Sequence, residues 1–353
     1  MQDPTATGSQ YADERVEYVE DAETPGDPCT FYFRSTKTTE RPAILLQDVA
    51  DLATLPLVFL ATWLSPASVW IWLAKSSALI GQRLVPRNRQ HQVRAACESV
   101  LGDLDPEEWQ ALRQNLVATT AGKRFAVARE FSPKNRALTI EVDGTDKLRH
   151  ALTERKGAIL WVNRFSSYPI LAKRALAQEG MPAYAISHAC HGYSDSRFAA
   201  LLINKIQISA ENRYLKQRLV FDDGEEIKVQ KRALSQLKKG HPVFFTNTSL
   251  TGHRFIELPL GRNGRLRMST GPIAIALRTG APLFAVSIFE VSPFTSYRVE
   301  LNHLVVAPTG SRALGKQRTD YQGLARVARA SRDIIYNGIR RYPDQSISIL
   351  LDE

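Results

Sequence analysis

The sequence predicts an α/β protein: a mixed, mostly parallel sheet with helices on both faces, preceded by a hydrophobic helical segment. Three observations carry this. Residues 158–162 (Ala-Ile-Leu-Trp-Val) are a short unbroken apolar run, which suits a strand covered on both faces. From Ser167 the period changes, with Leu171, Ala172, Ala175 and Leu176 at helical spacing. Similar strand-like and helix-like stretches alternate as far as residue 341, and such alternation builds parallel sheets.

Taken in order, residues 1–40 are polar and rich in Asp and Glu up to Asp27, and they lack the basic start and apolar core of a signal peptide. They read as a disordered acidic tail. Residues 41–95 read as a hydrophobic, membrane-associated helical segment. Within it, 52–74 contains no charged residue and approaches the ~20 residues that a membrane span needs. Pro56, Pro66, Ser65 and Ser68 interrupt it, whereas Trp63, Trp70 and Trp72 suit a bilayer interface. Two readings compete: a pair of core helices broken at Ser65-Pro66, or an anchor. Lys75, Arg83, Arg87, Arg89 and Arg94, which follow the run, favour the anchor through contact with anionic headgroups.

Residues 96–350 form the α/β unit. Asp105-Pro106-Glu107-Glu108 is a helix start within a helical region at 88–128. Strands are expected at 138–142, 158–162, 183–186, 242–246, 281–289 and 298–306, with residues 256–260 and a Gly-rich stretch at 261–264 leading into the helix at 273. Helices are expected at 145–154, from Ser166 or Ser167 onward with Pro169 in the first turn, and at 198–206, 225–237, 273–278 and 321–341. Lys238-Lys239-Gly240 is a helix stop.

The 353-residue chain has a formal charge of +10. That excess suits nucleic acid, an anionic membrane or an acidic substrate. No helix-turn-helix, finger or RNA-recognition signature accompanies it, so nucleic acid is not expected as a partner. Cys29, Cys97 and Cys190 are far apart and lack metal-ligand spacing, which argues against a disulfide framework or a metal site.

Four motifs occur in a telling order: Lys156-Gly-Ala-Ile-Leu-Trp-Val-Asn-Arg-Phe165, Leu234-Ser-Gln-Leu-Lys-Lys-Gly-His-Pro-Val243, Ser269-Thr-Gly-Pro-Ile-Ala-Ile-Ala-Leu-Arg-Thr-Gly-Ala-Pro282 and Ile339-Arg-Arg-Tyr-Pro-Asp-Gln345. On these the chain resembles the bacterial lipid A late acyltransferases (lauroyl and myristoyl transferases) and the relatives that acylate phosphatidylinositol mannosides, within the glycerolphosphate- and lysophospholipid-acyltransferase-like group. The resemblance spans roughly residues 48–347. It implies an acyltransferase at the cytoplasmic face of the inner membrane, in contact with anionic lipids. It further implies an acyl chain moved from acyl-CoA or acyl-carrier protein to a lipid, sugar or small-molecule hydroxyl or amine, with the thioester as co-substrate and no bound cofactor.

The family's chemistry rests on His-x4-Asp/Glu after the first core strand, where the histidine takes the acceptor's proton and the acid orients it. Here the matching positions are Arg164 and Pro169. Arginine stays protonated and proline has no carboxylate, so the motif is degenerate. Three readings follow. A different base serves the same cleft, with His188 and His191 as catalytic candidates and His253 behind them. Alternatively the protein is a catalytically inactive acyl- or phospholipid-binding relative, acting as a partner protein, in which Arg164 clamps an anionic group. A nucleophile at Cys190 or Ser187 is the third. Asn163, Arg262, Arg265, Arg267, Thr270 and Gly271 are candidate substrate-binding residues, because guanidinium forks and backbone amides suit the phosphates of carriers and phospholipids.

Overall fold

The computed structural model describes residues 13–19, 27–34, 41–84, 87–166, 168–194, 196–222, 224–248, 253–304 and 320–350. Two sheets organise them. A four-stranded antiparallel sheet holds β1 (Asp13–Val19), β2 (Cys29–Arg34), β8 (Arg254–Leu260) and β9 (Gly264–Ser269), in that spatial order. The larger sheet comprises β3 (Thr139–Asp143), β4 (Ala158–Val162), β5 (Ala183–His188), β6 (Leu215–Phe221), β7 (Pro242–Thr246), β10 (Leu283–Ser292) and β11 (Ser296–Leu304). Its order is β3-β11-β10-β4-β7-β5-β6, and every pairing is parallel except β10 with β11.

Every residue of β4 is buried, as its continuous apolar run requires. Strand alternation splits these residues between two cores. Ala158, Leu160 and Val162 pack with α5 (Thr145–Thr153) and α6 (Tyr168–Gln178). Ile159 and Trp161 pack with α9 (Glu226–Lys238), α10 (Gly271–Thr279) and α11 (Tyr321–Arg341). Helices therefore cover both faces. Three further helices precede the sheet and enclose one end of it: α1 (Leu46–Leu64), α2 (Ala67–Leu84) and α4 (Pro106–Arg129), with α3 (Arg87–Leu101) between the last two. The Asp105 carboxylate accepts from the Glu107 and Glu108 N–H groups at 2.9 and 2.8 Å, and the Glu108 carboxylate accepts from the Asp105 N–H, closing a capping box at the expected start of α4.

Several expectations change. The stretch read as a disordered tail supplies β1 and β2. Cys29 and Phe31 are fully buried, and Phe31 pairs in register with Ile256 and meets the Tyr321 ring at 4.8 Å. Its acidic composition hid the alternation Thr30-Phe31-Tyr32-Phe33, and Asp27 is neutralised by Arg332 at 2.6 Å. The 52–74 run is two helices broken at Ser65-Pro66, and no helix among the described residues is long and apolar enough to cross a membrane. Trp70 is buried, its indole N–H donating to the Ala61 carbonyl at 3.1 Å, so it is not an interfacial ring. A boundary at 95/96 falls inside α3.

The helix expected at 198–206 is broken at Leu202 into α7 (Arg197–Leu201) and α8 (Ile203–Asn212). β6, β8 and β9 had no expected counterpart. β6 is an edge strand carrying Lys216 and Arg218, the charged pattern that protects an edge and masks it in a hydropathy reading. β9 returns from β8 through a tight turn. There Gly261 has φ +67°, and a Cβ would strike the Ser99 carbonyl oxygen. The chain closes with α12 (Ile347–Leu350).

Candidate active site

The parallel strands β4, β5 and β7 deliver their following residues to one end of the sheet, where α/β proteins place ligands. Beside that end lies a cavity of about 580 Å³. One wall is the loop after β5 (His191, Gly192, Tyr193) with Gln207 of α8, and another is Ser166 with Ile170 and Leu171 of α6. The far side is α4 (Lys123, Arg124, Val127) and α2 (Ile71, Ala74, Lys75), and Glu290, Phe294 and Asp344 close it. The lining mixes aliphatic side chains with about as many polar and charged ones, Lys75, Lys123, Arg124, Arg129, Glu290 and Asp344 among them.

Of the candidate histidines, His191 is the one that lines this cavity. Its Nε2 lies 2.7 Å from Oε1 of Glu211, which is fully buried. Glu211 also accepts from Gln207 Nε2 and Arg218 Nη2, both at 2.8 Å, and from the Lys173 ammonium. Burial alone would raise the Glu211 carboxyl, but Lys173, His191 and Arg218 together hold it well below its ordinary value of 4.5. Burial in turn lowers the Lys173 ammonium, which Glu211 partly offsets. An ionised carboxylate only accepts, so His191 Nε2 is the donor in this contact. The loop that carries His191 is fixed by Asn204, whose amide donates to the Cys190 and Ser194 carbonyls and whose carbonyl accepts from the Tyr193 N–H at 2.7 Å. Gly192, at φ +151°, leaves no room for a Cβ against that same Asn204.

Lys123 faces the same cavity and donates to the Ser348 hydroxyl at 3.1 Å. Burial, with help from the neighbouring Arg164 charge, pushes its ammonium down to about 8. Burial also raises the Asp344 carboxyl. It raises that of Glu290 too, although hydrogen bonds from the Phe294 N–H and the Tyr297 hydroxyl work against the rise.

The other candidates are arranged differently. Asn163 is a buried bridge, donating to Ser287 Oγ at 3.0 Å and accepting from Asn247 Nδ2 at 3.1 Å, so it ties β4 to β10 and β7 instead of reaching a ligand. Arg164 is half-buried 3.4 Å from Thr248 Oγ1, beside a hollow of about 10 Å³, and it does not line the large cavity. Ser166 is no helix cap: its hydroxyl and N–H both donate to the Gln345 carbonyl. The Pro169 side chain and Ser167 lie outside the described residues. His188 stands edge-on to Phe221 at 5.2 Å and accepts from the Cys190 N–H, away from the cavity wall. Cys190 is buried and Ser187 accepts from Arg218, and neither lines the cavity.

His253 is 3.6 Å from Glu226 and stacked on Phe33, near the small sheet. The arginine patch is internally balanced. Glu257 takes Arg265 at 2.5 Å and Arg267 at 2.8 Å, and Arg267 covers the Tyr32 ring, while Arg262 faces Asp103 at 3.5 Å. Thr270 is buried with its N–H and hydroxyl on the Arg254 carbonyl, next to Gly271 at the start of α10. Arg254 and Glu257 come from β8, so the spacing of the arginines in the sequence could not reveal these partners. Glu211, Lys123 and Arg218 were missed because nothing local marks them: Glu211 lies 20 residues from His191, on a different element.

No family model matches the chain, and a comparison with curated proteins returns no match.

Proposed function

We propose that this protein transfers an acyl group from a carrier thioester to a hydroxyl or amine acceptor, with His191 in place of the histidine that Arg164 replaces. The His191–Glu211 contact on the wall of a cavity lined by both apolar and charged side chains, at the carboxyl end of parallel strands, carries this reading. His191 Nδ1 takes the acceptor's proton as its oxygen or nitrogen attacks the thioester carbonyl. The tetrahedral adduct then expels the thiolate, and the imidazolium returns the proton to sulfur, giving an ester or amide and a free thiol. Glu211 orients the ring and stabilises the imidazolium. Lys123, cationic below about 8, supplies positive charge for the developing oxyanion.

A second reading has its own observation. Arg164 and Pro169 stand where the family keeps its base and acid, and Arg164 is turned to Thr248, which favours a non-catalytic protein that holds acyl lipid in the same cavity. The deciding assay incubates purified protein with long-chain acyl-CoA or acyl-carrier protein and a panel of hydroxyl and amine acceptors, following thiol release by colour and product by mass spectrometry. Transfer that falls by about 10²-fold or more in His191→Gln supports the first reading. Retained lipid without thiol release supports the second. If neither appears, both fail. Because Arg164 does not line the cavity, the paired change Arg164→His with Pro169→Glu should produce no gain of transfer.

A further inference from the structure

On α1 the usual polarity of a surface helix is reversed. Asp48, Asp51, Leu55, Val58 and Thr62 recur at helical spacing and are the residues it buries, and both aspartates are 0% exposed. Arg124 of α4 reaches Asp51 Oδ1 at 2.5 Å, and Asp48 accepts from the Leu45 N–H at 2.7 Å. The opposite face carries Leu46, Val49, Leu52, Leu57, Leu60 and Leu64, all exposed, with Leu46 at 87% and Leu64 at 76%. A surface helix in water buries its leucines and shows its acids; α1 does the opposite.

The apolar face does not stop at α1. The start of α7 is pinned beside it by the Arg197 and Phe198 N–H groups donating to the Pro42 and Ala43 carbonyls, and Leu55 packs with Ala199 and Ile203. Leu201 and Leu202 at that junction are exposed, as are Ile44 and Leu45, and Trp63 and Trp72 add large amphipathic rings. Scattered exposed leucines need no explanation, but a continuous apolar face of this kind marks an interaction surface. Its charge setting favours one occupant. From Leu52 through Cys97 the sequence has no acid, yet it has Lys75, Arg83, Arg87, Arg89 and Arg94. Arg197 and Lys205, exposed, bracket Leu201 and Leu202. Two copies meeting through this face would bring like charges together, whereas an anionic leaflet offers hydrocarbon below and negative headgroups at the rim.

We infer that α1 and the α7–α8 junction form an in-plane docking face that sinks into one leaflet of an anionic membrane without crossing it. α2 then lies between bilayer and cavity: Trp72 points outward, while Ile71, Ala74 and Lys75 line the cavity. The docking stands apart from the acyl-transfer reading, because vesicle binding needs no turnover.

The test is co-flotation of the full chain with phosphatidylcholine vesicles, with and without phosphatidylglycerol, at low and high salt. The expected result is flotation that is stronger with phosphatidylglycerol and weakened by salt. Leu57→Glu with Leu60→Glu should cut the partition by about 100-fold or more, since each leucine lost from hydrocarbon is worth roughly tenfold. Arg197→Glu with Lys205→Glu should remove much of the preference for anionic vesicles. Both pairs are exposed, so unchanged circular dichroism and melting temperature are expected; if the glutamates unfold the protein, Leu57→Ser with Leu60→Ser serves instead. No flotation with either vesicle overturns the proposal, as does flotation that the leucine variants leave unchanged. A dimer in sedimentation that these variants split, without flotation, would assign the face to a second copy instead. His191→Gln should float like the parent protein, so failure of transfer and failure of docking are separable.

Discussion

Replacing Glu211 with glutamine keeps the side chain's volume and an acceptor for His191 but deletes the one charge that Lys173 and Arg218 share. Lys173 and Arg218 are only 12% and 8% exposed in their side chains, so water cannot take over from the lost carboxylate. Breaking a buried pair by removing one partner costs about 3–5 kcal/mol, because the remaining charge stays buried without compensation. At about 2 °C per kcal/mol for a chain of this size, the melting temperature should fall by roughly 6–10 °C. Urea unfolding at pH 7 of parent and Glu211→Gln measures the cost directly. The pH dependence has a definite sign. In the folded protein the Glu211 carboxyl titrates well below its ordinary value of 4.5, so the unfolded chain binds its proton first. Its contribution is therefore complete above about pH 4.5 and declines as pH falls toward the folded value. The gap between parent and variant should stay constant from pH 7 to about pH 5 and narrow in more acidic solution. A cost below about 1 kcal/mol, or a gap that widens in acid, would refute the picture of a desolvated carboxylate held by cations.

Three further outcomes are expected. Phe31→Ala should cost about 3–5 kcal/mol in urea unfolding, while Phe33→Ala, whose ring is 43% exposed, should cost far less; equal small effects would mean that β2 adds nothing to the core. Gly261→Ala and Gly280→Ala both force a left-handed backbone, at φ +67° and +69°, for about 1–2 kcal/mol. Only Gly261→Ala adds a collision with the Ser99 carbonyl, so thermal melts should show it to be the more damaging of the two. In the pH profile of acyl transfer, the limb near pH 8 should report loss of the Lys123 charge and vanish in Lys123→Gln, leaving a lower plateau.

Much of the α/β frame was legible because it is written in short-range patterns. β4 and β7 begin and end where their unbroken apolar runs do, α11 matches its amphipathic stretch, and Asp105-Pro106-Glu107-Glu108 starts α4 through contacts within one turn. Among the strands that escaped notice, β6 and β9 are charged, β8 is interrupted by Glu257 and Pro259, and all three take their place from neighbouring strands. β1 and β2 escaped for a related reason: acidic composition argued for a tail, but β8 offered an edge on which Phe31 could be buried.

The candidate site divides in the same way. From the sequence came a cluster of polar residues after the parallel strands, Asn163, Arg164, His188 and His191 among them. Which of them share a cavity is a matter of packing. Glu211 and Lys173 come from different helices than the loop that holds His191, and Asn163 and Arg164 are taken up by Ser287 and Thr248 from other strands. The absence of charge identified an apolar stretch at 52–74, yet which side of α1 faces inward was decided by Arg124, 73 residues beyond Asp51, drawing that carboxylate into the protein. A local pattern sets how a segment coils; the partner that neutralises a charge or covers a ring, far away along the chain, sets which way it turns.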